Sequence, residues 1–166
     1  MLSGESAMGV YPEEAVAMLA RIAAFTEAHR RPAQSKNLKA TSGRQQPATV
    51  AEAIASVVEH AMETVPCAGV SVPTRTGTTA RMISRCKPRA WIIALSHDSA
   101  ICQGLAFSFG VQPVLLSDDL ESWCDFARQW FRENHISCGN AMLVAGPSTR
   151  DPGANHRIEF MREGEP

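Results

Sequence analysis

The chain has 166 residues, 45% of them hydrophobic and 20% charged, with a formal net charge of −1, the profile of one ordinary globular domain with room for an appendage. So small a charge gives no overall field to draw in nucleic acid or an anionic membrane, and neither is expected as a partner. No apolar run reaches bilayer length and no signal-like segment opens the chain, so a cytoplasmic protein is expected.

The cysteines at 67, 86, 102, 124 and 138 stand singly, without a Cys-x-x-Cys, as reduced packing residues do. His135 and Cys138 have ligand spacing but no second pair, so no metal site is expected.

In chain order, Ser3, Gly4, Glu5 and Gly9 form a polar loop. Pro12 then suits a first helical position, with Glu13 and Glu14 at the positive end of the dipole. Ala15, Met18, Leu19, Ile22, Ala23 and Phe25 or Thr26 recur at helical spacing behind them. Residues 31–48 carry Pro32, Gly43 and Pro47. With Arg30, Arg31, Lys36, Lys39 and Arg44 they form a basic stretch. No aromatic is interleaved to stack on bases, so the stretch reads as a solvated linker.

Thr49 and Glu52 form a capping box ahead of a helix whose apolar face runs through Val50, Ile54, Val57 or Val58, Ala61 and Val65. Glu52, Glu59 and Glu63 are assigned to its wet face. "CAGVSV" is a short strand, "TARMISRC" a helix and "RAWIIALS" a continuous apolar run, as suits a buried parallel strand. "DSAICQGLAF" is a helix capped by Asp98 or Ser99, and "VQPVLLS" the next strand. Asp118 and Glu121 are read as a capping box on "DLESWCDFARQWFREN", stopped by Gly139. "AMLVAG" is a strand. "RIEFM" alternates as a half-covered edge strand should, with Ile158 and Phe160 on one side. Strands alternating with helices imply an α/β sandwich around a mainly parallel sheet.

Between "CAGVSV" and its helix lies "TRTGTT". In doubly wound sheets, ligands sit beyond the carboxyl ends of strands, where helix N-termini also point. Hydroxyls of Thr74, Thr76, Thr78 and Thr79 can donate to phosphate oxygens, and Gly77 lets a ligand approach the backbone. Arg75 or Arg81 are possible additions. The bland alternative is that Thr78 or Thr79 caps the helix and the others simply favour a strand end. A second loop, residues 145–156, holds Gly146, Ser148, Thr149, Arg150 and Asn155. If the strand order reverses between the first and fourth strands, the two loops face one crevice. The alternative is a plain long connection to an edge strand. Neither a P-loop nor a G-x-G-x-x-G is present, and no catalytic set emerges: Ser3 with His29, or Cys86 with His97, are pairs that sequence cannot bring together.

Two segments carry a resemblance. "MLSGESAMGVYPEEAV" resembles M-L-S-G-E-T-A-x-G-x-Y-P-x-E-A-V at the end of the catalytic barrel of pyruvate kinase, departing at Ser6 and at the variable Met8. "VPTRTGTTARMISRCKPRAWIIALSHD" is similar to the stretch opening that family's C-terminal domain, a T-x-[ST]-G-x-[ST]-A run followed by S-R-x-[RK]-P-x-x-x-I-I-A. The resemblance implies a barrel remnant at 1–30, a linker at 31–48, and at 49–166 an α/β domain. The domain is expected to be a three-layer sandwich around a five-stranded, mainly parallel sheet with its last strand antiparallel. It implies that Thr74, Arg75, Thr76, Gly77, Thr78 and Thr79 match a loop where many pyruvate kinases bind a sugar phosphate, often fructose 1,6-bisphosphate. The second loop departs from the family's pattern, with only Gly146 and Asn155 matching. The family's phosphate transfer from phosphoenolpyruvate to ADP uses a lysine, magnesium and potassium in barrel segments upstream of these residues. The 166 residues alone are therefore expected to be inactive and to hold no cofactor of their own. They are expected to serve as a regulatory and homo-oligomer-contact portion; the alternative is a free-standing α/β protein that binds a phosphorylated metabolite or a protein partner.

Overall fold

The computed structural model describes residues 2–29, 49–118, 120–136, 139–146 and 155–162. The chain divides into two compact units, Met1–Pro32 and Ala33–Pro166. The linker expected at 31–48 lies outside the described residues.

In the first unit a short helix α1 (Gly4–Ala7) precedes α2 (Pro12–His29). Glu5 Oε2 accepts from the Ser3 N–H at 3.1 Å. Backbone N–H groups, its own and that of Ser3, hold its carboxyl below the ordinary value. Pro12, Glu13 and Glu14 occupy the first turn of α2, and the last turn ends on His29, stacked on Phe25 with ring centroids 4.0 Å apart. No residue of α2 is buried: Leu19 is 41% and Ile22 55% exposed.

In the second unit α3 (Val50–Thr64) leads to β1 (Gly69–Pro73), α4 (Thr78–Arg85), β2 (Trp91–Ser96), α5 (Ser99–Leu105) and β3 (Val111–Leu115). Then follow α6 (Trp123–Glu133), β4 (Asn140–Ala145) and β5 (Arg157–Arg162). The strands form one five-stranded sheet in the order β3-β2-β1-β4-β5. All neighbours are parallel except the antiparallel pair β4–β5. Pro113 lies in edge strand β3, where a missing ladder donor is tolerated.

Because alternate strand residues point to opposite faces, the apolar runs of β2 and β4 feed two cores. Ile92, Ala94, Met142 and Val144 join Val70 and Val72 beneath Ile54, Ala55 and Val58 of α3, Ala80 and Ile83 of α4, and Leu105 of α5. On the other face Ile93, Leu95, Ala141, Leu143 and Met161 pack under Ala127 and Phe131 of α6. Helices on both faces of a mixed sheet make the three-layer α/β sandwich expected from the sequence.

Several local readings are corrected. Glu59 is 6% exposed rather than on a wet face, because the buried arc of α3 takes in Ile54, Ala55, Val58 and Glu59, whereas Val50 and Val57 are exposed. Helix α6 starts at Trp123, capped by Ser122 Oγ, which accepts from the Asp125 N–H at 3.2 Å. Asp118 does not cap it; its carboxylate accepts from the Ser117 hydroxyl at 2.9 Å. The helix ends well before Gly139. His135 takes the left-handed conformation (φ 56°), with His135 N–H to Arg132 O at 3.1 Å and Ile136 N–H to Phe131 O at 3.0 Å, the paired bonds of a Schellman motif. In β5, Phe160 is 50% exposed, while Met161 on the opposite face is buried under α6. The capping box of α3 and the Asp98 cap of α5 form as read.

Candidate functional site

Strand β1 continues toward β2 on one side, while β4 lies parallel on its other side. The order therefore reverses between β1 and β4, the place where open α/β sheets leave a crevice at their carboxyl ends. Residues 74–79 leave β1 at that end, and Gly146 follows β4.

The threonine loop is tightly built. Thr74 N–H donates to Leu95 O at 2.8 Å, fixing the loop's start to β2. The Thr74 hydroxyl accepts from the Gly77 N–H at 2.9 Å. Gly77 is the N-cap of α4, buried and left-handed (φ 75°), a conformation that favours glycine. Thr76 Oγ1 and Thr78 Oγ1 share a hydrogen bond at 3.0 Å. Thr74 and Thr79 are half-buried, and Arg75, Thr76 and Thr78 are exposed.

This corrects the bland reading of the hydroxyls: neither Thr78 nor Thr79 caps α4, which has no side-chain cap at all. Helices α3, α5 and α6 each have one. The N–H groups of Thr78, Thr79 and Ala80 find no hydrogen-bond acceptor among the described residues. These donors, the dipole of α4 and the exposed hydroxyls form a positive, hydrogen-bonding surface suited to an anion.

Arg81 was a candidate to add charge. Its Nη1 instead donates to Thr76 O at 2.9 Å. Sequence reasoning missed Gly104 of α5, against which the same guanidinium lies: a Cβ there would meet Arg81 Nη2 at 3.3 Å. The available signal was a glycine inside a short helix, where it weakens the helix.

Of the second loop, Ser148, Thr149 and Arg150 lie outside the described residues. Gly146 and Asn155 are described, and the ladder pairing Ala145 with Arg157 brings the loop's ends together. His156 packs on Gly146 so closely that a Cβ there would meet its Nδ1 at 2.6 Å. Cys86 follows α4 and His97 follows β2, so the two lie at opposite ends of that strand. Burial, and then the charge of Glu59, push the Cys86 thiol up to about 12, which leaves it an inert packing group. Among the described residues, no group of three or more His, Cys, Asp or Glu stands ready to hold a metal ion, and no helix is long and apolar enough to cross a membrane.

The fold and its loop at the strand-order reversal define a doubly wound α/β domain. The family model "Pyruvate kinase, alpha/beta domain" matches residues 52–155. A pyruvate kinase of Thermococcus litoralis is 41% identical over 120 residues, 72% of this chain and 25% of its own. One of Sporosarcina psychrophila is 32% identical over 164 residues, 96% of this chain and 28% of its own. The solved pyruvate kinase of Cryptosporidium parvum in complex with ADP is similar at a TM-score of 0.78 and 28% identity, over 98% of this chain and 33% of that one. The chain belongs to the pyruvate kinase family and comprises its C-terminal α/β domain. It spans about a quarter of the length of these curated relatives.

Proposed function

We propose that this chain is the regulatory and oligomer-contact portion of a pyruvate kinase, the cytoplasmic glycolytic enzyme that moves phosphate from phosphoenolpyruvate to ADP. Its threonine loop binds a phosphorylated effector of the sugar-bisphosphate class. One observation carries the reading: α4 alone of the helices α3–α6 has no side-chain cap, and it opens at the strand-order reversal beside the exposed hydroxyls of Thr76 and Thr78. Phosphate oxygens would accept from the Thr78, Thr79 and Ala80 N–H groups and from the hydroxyls, with Arg75 as the exposed cation. Gly77 supplies the left-handed turn that opens α4. A second phosphate would fall to the second loop, of which Gly146 and Asn155 are described. The similarity to the Sporosarcina psychrophila enzyme, which takes in the first unit as well as the domain, supports reading residues 1–30 as the last strand and helix of a catalytic barrel in the parent protein.

The test is a titration of the isotope-labelled chain with inorganic phosphate and with fructose 1,6-bisphosphate, following backbone amide resonances. The largest shifts are expected at Thr76 to Ala80, with tighter binding of the bisphosphate. Resonances of that loop that stay fixed at millimolar ligand would overturn the proposal.

A further inference from the structure

Arg81 is the one cation of the threonine loop whose guanidinium already has a defined seat. It bonds the Thr76 carbonyl at 2.9 Å. Its Nη1 and Cζ would lie 3.1 and 3.3 Å from a Cβ on Gly77, and its Nη2 3.3 Å from one on Gly104. The two glycines thus leave a slot between the start of α4 and the body of α5, and a planar fork fills it. A lysine has no such fork.

We infer that Arg81 is a positioning residue: it holds the Thr76–Gly77 turn from the side of α5, so that the free N–H groups of α4 stay open to an anion. The inference rests on the reading of the threonine loop as an anion site. The guanidinium does not touch the anion; it fixes the carbonyl end of the Thr76–Gly77 peptide, whose N–H end the Thr74 hydroxyl holds, so that the two bonds together keep the peptide from turning and closing the surface. Gly104 is part of the same device. Its lack of a side chain weakens a short helix, and the slot it opens for Arg81 is the compensating gain.

Two variants separate positioning from direct charge. Arg81→Lys keeps the charge and loses the fork. Gly104→Ala changes no charge, lies outside the loop, and favours α5 through helix propensity. Two readouts are taken on the full chain: the dissociation constant for inorganic phosphate, and amide hydrogen exchange at Gly77 and Thr78 without phosphate. Arg81→Lys is expected to weaken phosphate binding about tenfold. Gly104→Ala should weaken it in the same direction while melting no lower than the unaltered protein, and both variants should speed exchange at Gly77. Full phosphate affinity in Arg81→Lys would overturn the inference, since charge alone would then suffice. So would unchanged exchange in both variants. If the unaltered chain binds no phosphate, the anion reading fails, and the exchange experiment by itself still decides whether Arg81 holds the turn.

Discussion

Glu59 offers the sharpest test of the packing described for α3 and α4. It is 6% exposed, and neither carboxyl oxygen finds a hydrogen-bond partner among the described residues. Burial raises its affinity for a proton, the nearby Cys86 thiol opposes this in part, and Glu63 one turn on adds to it. The unfolded carboxyl titrates near 4.3, roughly as in model peptides. Between that value and its raised folded value, the folded protein keeps a proton that the unfolded chain has lost, so stability falls as pH rises through the window.

Glu59→Gln removes the charge at nearly constant shape, and Glu59→Leu removes the unpaired polar group altogether. An unsatisfied buried polar group costs about 1–3 kcal/mol, more when charged. At pH 8 the leucine variant should therefore be more stable by about 1–3 kcal/mol, with a melting rise of roughly 2–4 °C per kcal/mol at this length. Urea unfolding of all three proteins between pH 4 and 8 reads the effect. The difference between the unaltered protein and Glu59→Gln should grow as pH rises. A difference that is flat with pH, or a leucine variant less stable at pH 8, would refute the burial of this carboxyl.

Other expectations follow from single contacts. Ser71 lies fully buried in central strand β1, its hydroxyl without a hydrogen-bond partner among the described residues, so Ser71→Ala should stabilise by about 1 kcal/mol in urea unfolding. Gly69 faces the Phe131 ring, into which any Cβ would run; Gly69→Ala should cost about 1–3 kcal/mol. His135→Gly relieves a left-handed residue at the end of α6 and should raise stability by about 1 kcal/mol. The exposed row Val16, Leu19 and Ile22 on α2 should pair with another copy in solution, since burying each leucine or isoleucine is worth about 1.5–3 kcal/mol. Light scattering should show a dimer or larger, and Leu19→Glu with Ile22→Glu a monomer.

The sheet was legible because its strands are short apolar runs between turn signals, and "RAWIIALS" has the unbroken character that burial on both faces demands. The strand order is not encoded in periodicity: the resemblance implied five strands with the last antiparallel, and the order β3-β2-β1-β4-β5 is seen only in the folded chain. What sequence hid are choices between equally good local options. Asp118 and Ser122 both suit a cap, and the Ser117 hydroxyl engages the first. Glu59 looks wet because it is charged, yet it sits beside Ala55 and Val58 on the buried arc of α3. At the candidate site the hydroxyl cluster and Gly77 stood out, whereas the roles of Thr74 and Arg81 depend on contacts with Gly77 and Gly104 that only the folded chain supplies.

The central claim, a regulatory phosphate loop on a pyruvate kinase C-terminal domain, is tested most directly by thermal unfolding with a sugar bisphosphate. At a hundred times its dissociation constant the ligand should stabilise the fold by about 2.7 kcal/mol. At roughly 2–4 °C per kcal/mol, the melting temperature should rise several degrees in the unaltered chain. Most of that rise should disappear when Thr76→Ala and Thr79→Ala are combined. A melting curve unmoved by fructose 1,6-bisphosphate, other sugar bisphosphates and inorganic phosphate alike would contradict it.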